Sequence, residues 1–278
     1  MLVPQLRDPK HNSNYNLLLC TMPDLIKIEY ANRIARVIMN RPDKHNALND
    51  VMVSELKSAF AQVENNQSCK VVILEGAGES FCAGADLEYL QKLQNNTYDE
   101  NLADSTHLMQ LFQTIYTFPK PVIAKIKGAA IAGGCGLATV CDFSFAEPQS
   151  TFAYTEVKIG FVPAIVMVFL SKKIGEGKAK DMLLSGRMIK AEEAMNMGLI
   201  NQVVALDKID DFVLDFAHKL ASRNSADSMK LIKEMFYKMP SEYANALEYA
   251  AQTNAKARAT EDCKKGIAAF LNKEKLEW

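Results

Sequence analysis

"GAAIAGGCGLATVCDF", Gly128 to Phe143, is the stretch on which the reading of this chain turns. Glycine and alanine fill half of its sixteen positions, too small and too apolar a set for an ordinary loop. Such a stretch lets one backbone lie close to another, and its N–H groups can point into a cleft. Before it, "PVIAKIKG" reads as a buried strand; after it, "DFSFAE" reads as another of the parallel type. A second small-residue turn, "FCAGADL", follows the buried strand "KVVILEGAG". N–H groups from two neighbouring turns can converge on one oxygen anion, which is how an oxyanion hole is built. Tight strand-to-helix packing would also explain either turn taken singly.

Part of a dinucleotide-binding fingerprint is present as well. Gly134-Cys135-Gly136 follows a strand, and Glu156 lies twenty residues beyond Gly136. The third glycine position, however, is Thr139, and the next strand opens at Asp142. Barely two helical turns remain, too few for a parallel crossover. The glycines therefore belong to a different α/β arrangement.

Working outward, "LIKIEYANRIARVIMNRP" reads as two strands joined around "ANR". Asn49 and Asp50 can cap a helix in which Met52, Leu56, Phe60 and Val63 recur at three- and four-residue steps. A polar helical stretch runs through "LEYLQKLQNN" on to "LMQLFQTIYTFP", and from Pro163 onward the patterns are helical. They end in the long "SEYANALEYAAQTNAKARATEDCKKGIAAFLNKEKLEW". The fold class expected is α/β with a C-terminal helical subdomain.

Composition narrows the function classes. The 278 residues are 49% hydrophobic and 23% charged, with a formal net charge of -1. That balance gives no basic stripe for nucleic acid and no attraction to an anionic membrane. No run reaches the roughly 18 apolar residues of a membrane span. The six cysteines are scattered, form no CxxC pair and have no matching histidine spacing for a metal. Reduced, structural cysteines suit a cytoplasmic protein. Residues 1–22 look unrelated to the rest and are expected to be a disordered extension or to precede a native start at Met22.

Three stretches together, "RPDKHNALN", "GESFCAGADL" and "PVIAKIKGAAIAGGCGLATVCDF" continued by "FAYTEVKIGFVP", resemble the enoyl-CoA hydratase/isomerase (crotonase) superfamily. The resemblance runs from about Asp24 to Trp278 and includes "TEDCKKGIAAFLNKEK" near the C-terminus. It implies a spiral of repeated ββα units over residues 23–215 and a helical oligomerisation region over 216–278. Trimers or dimers of trimers are the implied assembly. An acyl-CoA thioester is the implied substrate, with CoA as part of it and no metal, flavin or nicotinamide cofactor.

Residue by residue, the resemblance puts the oxyanion-hole N–H groups at Ala85 and Gly133. The CoA nucleotide would lie along Lys44, His45 and Ala47 and the backbone near Ala83, Asp86 and Leu87. Gly134, Gly136 and Pro163 would border the substrate, and Phe270 and Lys273 match positions that often reach a neighbouring subunit's CoA. Taken alone, Lys44 reads as a solvated loop lysine, and Phe270 as part of a helix packing face.

Two departures bear on the chemistry. Many hydratases of this family use two glutamates around one water, and the first of those positions is Gly136 here. The second is Glu156, among Phe152, Tyr154, Val157, Ile159 and Phe161. Burial there would raise its pKa into the range useful for proton transfer, whereas a surface glutamate paired with Lys158 would be inert. One carboxylate suffices for Δ3,Δ2-enoyl-CoA isomerisation, and for hydration if it both activates water and returns the proton. A side chain from the helix around Glu88, Tyr89, His107 or Tyr116 could assist. Where many relatives carry glycines, Ala164, Ile165 and Val166 should narrow the acyl pocket.

The motifs look most like the bacterial branch related to methylglutaconyl-CoA hydratases of leucine breakdown. The reading is a hydratase for a short or branched 2-enoyl-CoA, 3-methylglutaconyl-CoA included, although the motifs name no cation for that substrate's distal carboxylate. The alternatives are a single-glutamate isomerase and a non-catalytic acyl-CoA-binding protein.

Overall fold

Asn32 and Arg33 both hold positive φ (49° and 68°) and turn the chain between β1 (Ile26–Ala31) and β2 (Ile34–Met39), which pair antiparallel. Two consecutive residues of that kind match the right-handed twist of a hairpin. The computed structural model describes residues 24–238 and 242–274, so the expected extension over 1–22 lies outside the described residues.

Along the chain follow α1 (Asp50–Asn65), β3 (Val71–Gly76), α2 (Leu87–Leu93), α3 (Tyr98–Tyr116), β4 (Val122–Ile126), β5 (Ala129–Ile131), α4 (Gly133–Val140), β6 (Phe143–Ala146) and β7 (Thr151–Ala153). After a short 3-10 turn at Glu156–Ile159 come α5 (Ala164–Ile174), α6 (Glu176–Ser185), β8 (Ile189–Lys190), α7 (Ala191–Met197), β9 (Gln202–Val203) and α8 (Ile209–Arg223). The chain closes with α9 (Ala226–Lys238), α10 (Glu242–Arg258) and α11 (Glu261–Leu271).

The strands form two layers. A six-stranded sheet runs β1-β2-β3-β4-β6-β9, parallel beyond the hairpin, and a three-stranded sheet runs β5-β7-β8. Successive turns of chain place β4 and β6 in the large sheet, β5 and β7 in the small one. This is the spiral of ββα units. The large sheet is covered on both faces, as parallel sheets must be. Along β3, Val72 and Leu74 join the main core with Phe60 and Phe112. Val71 and Ile73 alternate with them and meet Val213 and Ala217 of α8 on the other face.

Three expectations are corrected. The polar helical stretch is two helices, because Thr97 and Glu100 form a reciprocal capping box that starts α3 afresh. The long terminal helical run breaks at Thr260, whose side chain accepts from Cys263 N–H and starts α11. The boundary between 215 and 216 falls inside α8, which belongs with the sheet it covers. The five described cysteines are free and buried. No helix among the described residues is long and apolar enough to cross a membrane, and none of their His, Cys, Asp and Glu groups could hold a metal ion.

Candidate active site

The two small-residue turns meet. Cys82 N–H donates to the Ala129 carbonyl and Ile131 N–H to the Cys82 carbonyl, each at 3.0 Å. Leu48 then pins the first turn from its other side, donating to Gly84 O at 2.7 Å and accepting from Asp86 N–H at 2.8 Å. Between those bonds sits Ala85. Gly84 (φ 93°) and Ala132 (φ 50°) immediately precede Ala85 and Gly133. A side chain at Gly84 would lie within 3.0 Å of the Ala132 methyl, so the turns touch here. Ala132 carries strain of roughly 1–3 kcal/mol for its backbone conformation. Each unusual turn delivers an N–H, at Ala85 and at Gly133, that has no backbone acceptor among the described residues.

Both residues line a cavity of about 560 Å³, whose wall is mostly apolar and includes Phe112, Ile165 and Val166. Glu156 lines the same cavity from the 3-10 turn. Its side chain is buried, and Oε2 finds no partner among the described residues. Burial pushes its pKa up to about 7, offset only in part by its own backbone N–H. The surface pairing with Lys158 does not occur: Lys158 is exposed, and no ion pair involving Glu156 is present among the described residues. Fully buried Tyr154 shares a hydrogen bond of 2.8 Å with Thr139 of α4, tying the approach to Glu156 to the helix that begins at Gly133.

Gly136 shows why no second acid stands beside Glu156. A Cβ there would collide with Val166 and come within 3.1 Å of the Phe112 ring. Gly134 likewise lies against the Cys82 backbone. Expected at the substrate, these two glycines are buried packing positions instead and do not reach the cavity. The tight-packing and site readings of the glycine-rich stretch therefore both hold, at different residues.

Ala83, Leu87, Pro163 and Phe270 line the same cavity. Lys44, His45, Ala47, Asp86 and Lys273 do not. Lys44 is exposed and paired with Glu88 at 2.8 Å, while the His45 ring lies 3.2 Å from the Ser80 hydroxyl. Asp86 caps α2 through the N–H groups of Glu88 and Tyr89 and pairs with Arg41 at 2.6 Å. Of the possible helpers, Tyr89 and His107 line the cavity; Glu88 and Tyr116 do not.

Sequence reasoning missed three side chains. Asp104 and Arg258, 154 positions apart, meet as an ion pair in the cavity wall. Lys173, half-buried, donates to the carbonyls of Ala138, Thr139 and Cys141 and so holds the far end of α4. No local motif signals either arrangement, although "TYDE" did carry a capping-box signature for α3.

An apolar cavity with two unclaimed N–H donors and one buried carboxyl can hold an oxygen that gains charge while a proton moves beside it. That is the equipment of an acid–base enzyme acting on a carbonyl compound. The comparisons with known proteins agree. The enoyl-CoA hydratase/isomerase family model matches residues 29–278. A Thermus thermophilus protein carrying the enoyl-CoA hydratase name is 39% identical over 241 residues, covering 86% of this chain and 95% of its own. The short-chain-enoyl-CoA hydratase of Clostridium acetobutylicum is 33% identical, covering 90% of this chain and 95% of its own. An enoyl-CoA hydratase crystal structure from Shewanella pealeana superposes with a TM-score of 0.75 at 28% identity, covering 91% of this chain and 96% of that one. The chain belongs to the enoyl-CoA hydratase/isomerase family.

Proposed function

We propose that the protein adds water to a short 2-enoyl-CoA, with Glu156 as its single acid–base group. The observation that carries this is the buried Glu156 carboxyl, its Oε2 without a partner among the described residues, in the same cavity as the free N–H groups of Ala85 and Gly133. In the forward step the Glu156 carboxylate takes a proton from water as its oxygen bonds to C3. The C2–C3 electron pair moves toward the thioester, and the resulting enolate oxygen is held by the two N–H groups. Glu156, now protonated, returns that proton to C2 and leaves a 3-hydroxyacyl-CoA. Each oxyanion donor would supply on the order of 100-fold or more in rate. Two relatives named for hydration of short or crotonyl thioesters support the choice of reaction.

Isomerisation between C2 and C4 is the second reading, favoured by one observation: Val166 and Phe112 fill the place of a second acid. A purely binding role has no support from this site. Branched thioesters, 3-methylglutaconyl-CoA among them, belong to the substrate range to be tested, since Ile165 and Val166 shape the pocket. The experiment is mass analysis of products from crotonyl-CoA, 3-methylglutaconyl-CoA and a 3-enoyl-CoA. Gain of one water on a 2-enoyl thioester, lost in Glu156→Gln with CoA binding retained, is the expected result. Conversion of the 3-enoyl compound alone, without mass change, would assign the isomerase.

A further inference from the structure

The hydration step proposed above gives no task to Arg258, a charged group of the cavity wall. Arg258, at the end of α10, has a side chain only 9% exposed. It is ion-paired through Nη1 with Asp104 of α3 and lies over the Phe161 ring, 5.4 Å from its centre. Asp104 also accepts from the Tyr89 hydroxyl. All four residues line the cavity, as does Asn254, whose Oδ1 is already used by Ala164 N–H at 3.2 Å.

A guanidinium carries five N–H donors in a planar fork. Asp104 engages Nη1, and no acceptor for the other nitrogens occurs among the described residues. Buried side-chain atoms without a partner are, among the described residues, confined to Asn101, Ser105 and Glu156. The remaining Arg258 donors are thus not sealed in the core, and Arg258 lines the cavity. Arg258 and its partners form a buried part of the wall. Leu87 and Phe270 at the rim are 51% and 49% exposed, whereas the Asp104 side chain is 14% exposed and Asn254 3%.

Charge decides what the fork can take. Asp104 cancels Arg258, and the other charged side chains of the wall are Asp50, Glu156 and Glu274 against Lys158. A carboxylate brought to this part of the wall would lose its water beside Asp104 with no net positive charge to receive it. A neutral oxygen meets the same donors without that penalty. The fork is also held in advance, by Asp104 on one edge and by stacking on Phe161, as suits arginine and not lysine.

We infer that Arg258, oriented by Asp104 and Tyr89, is a specificity residue that accepts a neutral oxygen, a hydroxyl or a carbonyl, on the distal part of the acyl group. This rests on the reading of the cavity as an acyl-thioester site. The test measures calorimetric binding of unreactive saturated thioesters, so that it does not depend on turnover. The probes are butanoyl- and hexanoyl-CoA, their ω-hydroxy counterparts and their ω-carboxy counterparts. They are bound to the wild type, to Arg258→Lys, and to Arg258→Met combined with Asp104→Asn, which leaves no buried charge unpaired.

The ω-hydroxy thioester should bind roughly tenfold more tightly than the alkyl one at the chain length that reaches Arg258. That preference should fall to within about twofold in both variants. Tightest binding of the ω-carboxy probe would overturn the neutral-oxygen assignment. Equal weakening of every probe by the variants would reduce Arg258 to a strut between α3 and α10. Failure of all thioesters to bind would instead sink the acyl-CoA reading itself.

Discussion

Asp86, on the turn that carries Ala85, and Glu156, on the turn after β7, are buried to similar degrees, 4% and 9% exposed. They hold their protons in opposite ways. Burial alone would raise the pKa of Asp86, but the Tyr89 N–H, the Arg41 guanidinium and the Glu88 N–H outweigh it and keep the carboxyl below its ordinary range. Glu156 receives no such partners, and burial wins, bringing it to about 7. Partner supply, together with the fuller desolvation of Glu156, separates a carboxylate that fastens a helix from one that can trade protons near neutral pH. Arg41 and the α2 N-terminus spend themselves on holding the Ala85 turn in place. The bare wall around Glu156 leaves its carboxyl reactive.

The largest effect expected from this contrast is on turnover. Glu156→Gln should lower kcat by about 1000-fold, while Asp86→Asn should act mainly through stability. A comparable loss of kcat in folded Asp86→Asn would erase the distinction between the two groups. The pH profile sharpens it: the carboxylate form of Glu156 starts the reaction, so kcat/KM should rise with pH and level off above about 7. A profile flat from pH 5 to 8 would remove Glu156 from the rate-determining protonation.

Stability carries the next effect, with a definite sign. Below the ordinary value of 4.5 Glu156 is protonated in both folded and unfolded chains. Between 4.5 and about 7 the unfolded chain gives up the proton and the folded one keeps it. Stability from this group therefore falls as pH rises through that window, by about 3 kcal/mol in all. Glu156→Gln should be more stable than the wild type at pH 8 by that amount and indistinguishable at pH 4, as read by urea unfolding. Asp86→Asn should lose about 2 kcal/mol at neutral pH, because asparagine can keep the helix cap but leaves the Arg41 guanidinium without its charged partner. The smallest change is Gly136→Ala, destabilising by about 1–2 kcal/mol through overpacking, with Val166→Ala restoring most of it. No rescue would mean that Val166 is not what closes that position.

Local pattern made much of the fold legible. The α1 helix was visible because Met52, Leu56, Phe60 and Val63 repeat on one face, and Asn49 caps it through Met52 N–H at 2.8 Å. The hairpin and the buried strands β3, β4 and β6 were equally plain from their apolar runs. The two-residue strands β8 and β9 left no trace, since no periodicity fits in two positions. Alternating small residues marked where the chain turns closely, yet not which glycines face a cavity and which face a neighbour.

The sequence by itself determined the order of the longer elements and the placing of Glu156 after a strand, because these follow from periodicity and short-range spacing, and its motifs carried the family resemblance. Tertiary structure decided the rest. Whether Glu156 is dry or paired depends on side chains from several segments. Whether Gly136 could have been an acid depends on Val166 and Phe112. Asp104 and Arg258 become one group only when α10 packs on α3. Proton affinity, steric room and charge balance are properties of surroundings, and the surroundings of each of these residues are assembled from positions far apart in the chain.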